Sequence, residues 1–391
     1  MRKTKLTICV VTGSRAEYGL LQPLMQLIKE DKSIQLQILV TGMHLSPEFG
    51  LTWKQIKKDG FSIGEKVEML LSADTDTAII KSTGLGLMGF ADAFQRLQPD
   101  WIVLLGDRFE TFAAAIAAHL SKIPVAHLHG GELTEGATDD AMRHAITKMA
   151  YLHFTAAEVY RKRVIQLGES PERVFNTGAI GLDSIRRLNL LSKQALEKQL
   201  QFSLGSKSLL VTYHPATLEK NTAAAQISQL LQALDRLNDT KIIFTLPNAD
   251  ANGRIITERI NQYVAQHPQQ AKVFTSLGQL RYLSTLCYVS AVVGNSSSGI
   301  IEAPFFKIPT VNIGDRQAGR LKAASVIDTG TDTESILKSL KKAFSPVFVA
   351  TCKKNVSLYG SGHAAALVVK TIKKFGKLGS IKKSFYDLSG V

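Results

Sequence analysis

The chain has 391 residues, of which 45% are hydrophobic and 20% charged, and it carries a formal net charge of +14. A chain of this length exceeds the size at which one hydrophobic core stops growing, so two domains are expected. The composition excludes a disordered chain, and no apolar run reaches the roughly 20 residues of a membrane-spanning helix.

Short apolar runs alternate with longer stretches that suit helices. Strands that are apolar throughout are buried on both faces, and their alternation with helices predicts parallel sheets. The fold class is therefore α/β, with two doubly wound domains and a ligand cleft between them at the carboxyl ends of the strands. The predicted strands are 6–11, 34–40, 101–105, 124–128, 208–212, 241–246, 291–293 and 310–313, and helices are predicted at 20–29, 111–118, 225–237 and 334–343.

The polar stretch 193–208 has the composition of a connector, and the strand and helix rhythm begins again after it. This places a first domain at 1–190, a second at 191–375 and a basic tail at 376–391. The final helix, at 364–375, either completes the second domain or packs back on the first.

Polar residues follow two predicted strands of the first domain. In "TGSRAEYG", Arg15 at a helix start is suited to hold an anion, unless it only pairs with Glu17. The glycine spacing there fits neither a dinucleotide fingerprint nor a Walker A loop. In "LLGDRFE", Asp107 and Arg108 directly follow a strand, and Asp107 either takes part in catalysis or caps the next helix.

The stretch "HLHGGELTEGATDDAMRH", which begins at His127, concentrates titratable groups between a strand and a helix. His129 stands two residues further on, but no further ligand pattern follows, so a metal site is not predicted. Asp139 and Asp140 open the next helix. One interpretation is acid–base chemistry. In the other, both acids complement the helix dipole and Arg143 pairs with Asp139.

In the second domain, "GNSSSGIIEAP" leads from a strand into a helix. Ser296 and Ser297 with free backbone N–H groups suit a phosphate. Glu302 is predicted to accept hydrogen bonds from a sugar diol, or else to interact with the start of its own helix.

Three more polar residues follow strands of the second domain. His214 ends a strand in "YHPAT", and Asn248 does so in "LPNAD". Arg316 follows the predicted strand 310–313 in "NIGDRQAGR". Each is a candidate ligand contact at the strand ends, although a lone histidine is usually structural.

The end of the chain is basic, with eight lysines and one acid in 351–391. No recognition element or interleaved aromatic series accompanies them, so a solvated helix face is favoured and nucleic acid is not an expected partner. The three cysteines, Cys9, Cys287 and Cys352, are widely spaced and indicate neither disulfides nor zinc, so a reducing cytoplasm is expected.

Taken in order, the quoted motifs resemble those of the hydrolysing UDP-N-acetylglucosamine 2-epimerases. The resemblance implies a GT-B type fold, with UDP held mainly by the second domain and the sugar facing the first. A UDP-sugar is then the expected partner, with no metal or other cofactor, no membrane, and a homo-oligomer, dimer or tetramer.

The resemblance also implies roles for individual residues. Where family members read "HxEGGE", this chain has "HLHGGE", so either His129 or Glu132 is expected to take the proton-transfer role. The implied catalytic residues are Asp107, His129, Glu132, Asp139, Asp140 and Arg143, and the implied substrate-binding residues are Arg15, Arg108, His214, Asn248, Ser296, Ser297, Glu302 and Arg316.

The implied reaction is an anti elimination of UDP to a 2-acetamidoglycal, followed by hydration to N-acetylmannosamine. The same chemistry on UDP-2,4-diacetamido-2,4,6-trideoxyglucose, a non-hydrolysing 2-epimerase, a GT-B glycosyltransferase and a non-catalytic UDP-sugar sensor are the alternatives.

Overall fold

The computed structural model shows two compact units, each built around one parallel sheet. Unit 1 contains the chain up to Glu132, then Asp139–Arg187 and everything from Tyr359 onward, and unit 2 contains Leu133–Thr138 and Leu188–Leu358. The last residue of the motif "YHPAT", the fourth of "LPNAD" and the end of the basic tail lie outside the described residues. The structure describes residues 5–135, 137–216, 222–248, 250 and 252–388.

Unit 1 has a seven-stranded parallel sheet in the order β3-β2-β1-β4-β5-β6-β7. Apolar helix faces cover both sides of the sheet and form two buried clusters. In chain order, its elements are β1 (Leu6–Thr12), α1 (Arg15–Glu30), β2 (Ile34–Thr41), α2 (Trp53–Lys58), β3 (Glu65–Val67), α3 (Asp76–Leu97), β4 (Trp101–Leu105), α4 (Phe109–Leu120), β5 (Val125–Leu128), α5 (Asp139–Met149), β6 (Leu152–Thr155), α6 (Glu158–Gln166), β7 (Val174–Asn176), α7 (Gly181–Arg187) and, after unit 2, α15 (Ala364–Phe375).

Unit 2 has a six-stranded parallel sheet in the order β10-β9-β8-β11-β12-β13, around a core of its own. Its elements are α8 (Lys193–Leu200), β8 (Ser208–Thr212), α9 (Ala223–Asp235), β9 (Lys241–Thr245), α10 (Gly253–Gln266), β10 (Ala271–Phe274), α11 (Gly278–Leu286), β11 (Ala291–Gly294), α12 (Ser297–Ile301), β12 (Thr310–Ile313), β13 (Val326–Thr329), α13 (Thr333–Ala343) and α14 (Pro346–Lys353).

The last helix corrects the predicted domain boundaries. α15 lies in unit 1, so the second domain does not extend to residue 375. Val368 and Ile372 on α15 are fully buried in the same cluster as Leu21 and Leu24 of α1. Asp183 of α7 accepts the first two backbone N–H groups of α15 at 2.9 and 2.8 Å. The apolar face of α15 is visible in the sequence, but the pattern does not say which sheet it covers.

Among the helices that the structure describes, none is long and apolar enough to cross a membrane.

Candidate functional site

Both sheets wind outward from a switch point, between β1 and β4 in unit 1 and between β8 and β11 in unit 2. Loops beside such a point diverge to opposite faces and leave room for a ligand at the carboxyl ends of the strands. In unit 1, Arg15 begins the helix after β1 and Asp107 lies on the loop after β4, and in unit 2 the loops carry His214 and Ser296. Within each unit, these predicted residues therefore lie at the carboxyl edge of the sheet, which is where doubly wound folds generally bind ligands.

Arg143 on α5 is the centre of a charged cluster in unit 1. Only 1% of its side chain is exposed. Its Nη2 binds the carboxylate of Asp107, and its Nη1 donates to Oδ1 of Asp140 at 3.1 Å and to the carbonyl of Glu132 at 2.8 Å. The side chains of Asp107 and Asp140 remain 18% and 25% exposed. A buried guanidinium thus holds two carboxylates that still face solvent.

The sequence left a purely structural interpretation open for each of these acids, and the structure rejects it for Asp107 but not for Asp139 and Asp140. The N-cap residue of α4 is Arg108, so Asp107 as a helix cap is wrong. Asp139 and Asp140 do lie in the first turn of α5, where a carboxylate interacts favourably with the positive end of the helix dipole. Asp140 also places Oδ2 3.5 Å from Nε2 of His144, whose pKa is lowered by burial.

His129 and Glu132 form a pair at the end of β5. His129 has a left-handed backbone, with φ +67°, and only 11% of its side chain is exposed, against 1% for Glu132. The Nδ1 of His129 lies 2.7 Å from Oε1 of Glu132, and its Nε2 accepts the amide N–H of Ile180 at 3.3 Å. A nitrogen that accepts an N–H carries no proton, so this geometry places the imidazole proton on Nδ1, facing the carboxylate.

Both ring nitrogens of His127 have partners within the protein. Its Nε2 lies 2.8 Å from the carbonyl of Gly106, and its Nδ1 lies 3.4 Å from the hydroxyl of Thr147. Burial lowers the pKa of His127 to about 3, so the ring is neutral at neutral pH. Across the ranges that the structure describes, no group of three or more His, Cys, Asp or Glu side chains is arranged to hold a metal ion.

A second charged group beside the switch point of unit 1 includes Glu110, which was not predicted from the sequence. Glu110, fully buried on α4, accepts from Nε and Nη2 of Arg108 at 3.1 and 3.2 Å. Glu17 on α1 accepts the amide N–H of Gly13 at 2.8 Å. Burial, opposed by that hydrogen bond and assisted by the charge of Glu110, raises the pKa of Glu17 to about 8. Glu110 thus fixes the guanidinium predicted to face substrate.

Asn295 organises the strand ends of unit 2 and was also missed. Its side chain, 2% exposed, accepts from the amide of His214 at 2.7 Å and donates to the carbonyl of His214 at 2.8 Å. Its own carbonyl accepts from Nη1 of Arg316 at 3.1 Å and from Nε2 of Gln317 at 2.9 Å. One asparagine therefore joins the ends of β8, β11 and β12. Its signals in the sequence are its place at the end of a predicted strand and before three serines.

The three serines lie at the start of α12. Ser296 is the N-cap residue, and its hydroxyl accepts the amide N–H of Ser298 at 3.4 Å. Ser297 begins the helix and is half-buried. Glu302 is buried at the opposite end, as the C-cap residue of this five-residue helix. The interpretation of Glu302 as a partner for the start of its own helix is therefore wrong, because that helix is shorter than expected.

The remaining predicted residues of unit 2 lie on neighbouring loops. His214 is 7% exposed, and its Nδ1 lies 3.8 Å from Oδ2 of Asp250, an acid that was not predicted. Asn248 is half-buried, and its carbonyl accepts the amide N–H of Asp250 at 2.8 Å.

Two doubly wound parallel sheets, with charged and hydroxyl side chains beside both switch points, define a Rossmann-like α/β protein. Residues 26–373 match the model of the UDP-N-acetylglucosamine 2-epimerase family. The chain belongs to this family, and the resemblance inferred from the sequence is confirmed.

Curated relatives, among them the three that follow, match nearly the whole chain. It is 44% identical to the GDP/UDP-N,N'-diacetylbacillosamine 2-epimerase (hydrolyzing) of Campylobacter jejuni, over 98% of this chain and 100% of the relative. It is 38% identical to the polysialic acid biosynthesis protein P7 of Escherichia coli, over 97% of each. It is 36% identical to the UDP-N,N'-diacetylbacillosamine 2-epimerase (hydrolyzing) of Legionella pneumophila, over 94% of this chain and 95% of the relative.

Solved structures agree on the fold. The UDP-GlcNAc 2-epimerase of Neisseria meningitidis, solved with bound UDP-GlcNAc, superimposes with a TM-score of 0.81 at 18% identity, over 94% of this chain and 100% of that one. The predicted fold class, two doubly wound Rossmann-like domains, is confirmed.

Proposed function

We propose that this protein is a hydrolysing 2-epimerase that converts a UDP-linked 2-acetamido sugar and water to UDP and the free sugar of manno configuration. The observation that carries the proposal is the 44% identity to a hydrolysing 2-epimerase over essentially the full length of both chains. The titratable cluster around Arg143 supports it, because the reaction needs proton transfer at carbon.

UDP-N,N'-diacetylbacillosamine is the proposed substrate. Two of the relatives, at 44% and 36% identity, carry its name. UDP-N-acetylglucosamine is the second candidate, since the family model is named for it. The two sugars differ at C4 and C6 and share the C1–O bond and the 2-acetamido group on which the chemistry depends.

The chemistry explains why so many acids are present. The hydrogen on C2 adjoins no carbonyl, so it becomes removable only as the C1–O bond breaks and C1 gains positive character. A base takes the proton from C2 and UDP departs, which leaves a 2-acetamidoglycal. An acid then returns a proton to C2 from the other face while water adds at C1. Two proton transfers on two faces require at least two titratable groups.

We assign proton transfer to Asp107 and Asp140, with Asp139 beside them. Asp107 and Asp140 are held by one guanidinium and keep part of their surface exposed, whereas Glu132 is buried. His129 is then a positioning residue, because both of its ring nitrogens are bound within the protein.

The nucleotide is assigned to unit 2. Arg316, fixed by its bond to the carbonyl of Asn295, provides the charge for the diphosphate. Ser296 and Ser297 offer hydroxyl and amide donors, and Glu302 suits the ribose diol as an acceptor. His214 and Asn248 line the same strand ends. On unit 1, Arg15 and Arg108 are the proposed substrate-binding residues, because a guanidinium can stabilise the charge of a departing group.

The test compares both UDP-sugars, and the GDP form of the first, in D₂O. The expected result is release of UDP together with a free manno-configured sugar carrying deuterium at C2, fastest with UDP-N,N'-diacetylbacillosamine. In ¹⁸O-water the UDP should stay unlabelled, because the C1–O bond is the one that breaks. A free sugar that keeps the gluco configuration and its C2 hydrogen would overturn the proposal.

Two other reactions give different products. A non-hydrolysing 2-epimerase returns an intact UDP-sugar of manno configuration, and a glycosyltransferase leaves the donor unchanged until an acceptor is added. Either outcome replaces the proposed function.

A further inference from the structure

The segment that follows α15 runs along the edge of the unit 1 sheet at which the strands begin, the amino edge. The carbonyl of Gly376 accepts from Nε1 of Trp101, the first residue of β4, at 2.7 Å. Nζ of Lys377 lies 3.0 Å from Oδ2 of Asp100, just before that strand. The segment and these partners all belong to unit 1. The end of the chain therefore lies opposite the carboxyl edge, where the acid cluster is.

Farther along, the segment packs on the loop after α6. The amide N–H of Tyr386 donates to the carbonyl of Gly168 at 2.9 Å. Gly168 has φ +87°, and a Cβ there would collide with the ring of Phe385. Nζ of Lys148 lies 4.9 Å from the centre of the same ring. The loop thus accepts the segment because residue 168 is glycine.

Glu169, the next residue of that loop, is the charged centre of this contact. Its side chain is fully buried and accepts from Nζ of Lys148 and from Nζ of Lys383, each at 2.7 Å. Its Oε2 also lies 3.1 Å from Nε2 of His153. Lys383 donates in addition to the carbonyl of Ala150 at 2.7 Å, and only 15% of its side chain is exposed. For Lys383, the predicted solvated basic face is therefore wrong, because this lysine neutralises a buried carboxylate.

Helix α5 connects this contact to the acid cluster. It begins at the carboxyl edge of the sheet, and its first two turns carry Asp140 and Arg143. It ends at the amino edge, where Lys148 lies in its last turn and Ala150 follows. A helix is a rigid element, so a constraint on one end also fixes the other.

We infer that Lys383 is a positioning residue, which holds the carboxyl-terminal end of α5 and thereby fixes Arg143 and Asp140 at the opposite end. The inference rests on the proposed function, because that function assigns proton transfer to the acids that Arg143 binds. Every contact that carries it lies within unit 1.

The test compares Lys383→Met with Lys382→Met. The two lysines are neighbours in the same segment, but Lys382 is exposed. Methionine keeps a flexible unbranched side chain and removes the charge. Lys383→Met is expected to lose about 10-fold in kcat, less than the roughly 10² of a 1 Å misplacement at a reacting centre. UDP affinity should be unchanged, because the nucleotide is assigned to unit 2. Lys382→Met is expected to retain kcat, and equal kcat in the two variants overturns the inference.

The pH dependence separates positioning from a general loss of folded protein. Burial lowers the pKa of Lys383 to about 8, against the hydrogen bond and charge of Glu169 and together with the charges of Lys148 and Arg173. His153 also faces this group, and burial lowers its pKa, so it is neutral above pH 7. The ratio of wild-type kcat to that of Lys383→Met is therefore expected to fall toward 1 as pH rises through about 8. A ratio that does not change with pH overturns the inference.

Lys383→Arg provides the rescue. An arginine keeps its charge throughout this pH range, so the kcat of Lys383→Arg relative to the wild type should rise as pH passes about 8. If Lys383→Met does not fold, this rise supports the inference and its absence overturns it.

Hydrogen exchange gives a readout that needs no turnover. The amides of 145–149, at the end of α5, should exchange faster in Lys383→Met than in Lys382→Met. If the wild type releases no UDP from any tested sugar, the proposed function fails and exchange decides the inference, which faster exchange supports and equal exchange overturns. If turnover occurs and Lys383→Met keeps the wild-type kcat, the inference fails alone.

Discussion

At the scale of single residues, Arg143 is the position at which the geometry of the side chain matters most. Its fork spans Asp107, Asp140 and the carbonyl of Glu132 at once. A lysine carries one compact charge and cannot reproduce that fork. We expect Arg143→Lys to lower turnover by about 10², the loss typical of a 1 Å misplacement at a reacting centre, with UDP affinity unchanged.

Kinetics with calorimetry checks this expectation. Arg161→Lys is the control, because Arg161 forms a partly exposed pair with Glu158 on α6 and its replacement should leave turnover unchanged. Full turnover in Arg143→Lys would show that the cluster is structural only.

His129 gives a second prediction at this scale. Asparagine tolerates a left-handed backbone and offers an N–H donor in place of Nδ1–H, whereas alanine offers neither. We therefore expect His129→Asn to keep most of the turnover. His129→Ala should lose turnover and about 1–3 kcal/mol of stability, the range for a strained backbone or an unsatisfied buried carboxylate.

Activity assays and urea unfolding of both variants provide the measurement. If the asparagine variant is as inactive as the alanine variant, the imidazole itself transfers the proton and the positioning role is wrong.

At the scale of elements, the sequence predicted eight of the strands that the structure describes, all of them inside the sheets, and missed the buried inner strand β6 together with the edge strands. The predicted strands at 101–105, 208–212 and 310–313 have the observed bounds. Four of the missed strands, β3, β7, β10 and β13, are sheet edges. Edge strands are short and carry polar side chains, so an apolar run does not mark them.

The same limit applies to the site. Residues placed directly after a buried strand, such as Asp107 and Arg316, were predictable, because chain direction alone puts them at the ligand edge. Glu110 was not predictable, because its role comes from burial of its side chain on α4. Asn295 directly follows β11, but its role comes from partners that are remote in sequence, such as His214. The outcome for Glu302 depended on where α12 ends.

The anchoring of α15 gives a prediction about one element. Asp183 accepts two N–H groups at the start of that helix, so Asp183→Ala leaves them without this acceptor. We expect a loss of about 1–2 kcal/mol in the free energy of unfolding, the range for a helix cap. Urea unfolding measures it, with Asp387→Ala in the exposed tail as the control. Equal stability of the two variants would contradict the assignment.

At the scale of the whole molecule, buried titratable groups predict how stability depends on pH. Burial raises the pKa of Glu17 from 4.5 to about 8, so between those values the folded chain holds a proton that the unfolded chain has released. Rising pH therefore lowers stability there. Burial lowers the pKa of His44 and His127 from 6.5 to about 3, so stability falls as pH drops below 6.5.

Together these three groups favour the folded state most near pH 6.5, because two histidines outweigh one acid below that value. Glu17→Gln should remove the decline on the alkaline side. Urea unfolding at a series of pH values should show the variant gaining on the wild type from about pH 5 to 8. A constant difference would mean that Glu17 is already ionised in the folded protein.

The return of the chain to unit 1 at Tyr359 affects the order in which the cores can form during translation. The face of α1 that contains Leu21 and Leu24 has no α15 beside it until residues 364–375 have been synthesised, whereas 188–358 forms one uninterrupted stretch. Translation of the intervening part takes roughly 10–40 s at 5–20 residues per second. Unit 2, although second in the sequence, is thus able to close its core on the ribosome before the cluster around Leu21 and Leu24 is complete. Chaperone binding to the nascent chain is expected to be strongest during that interval.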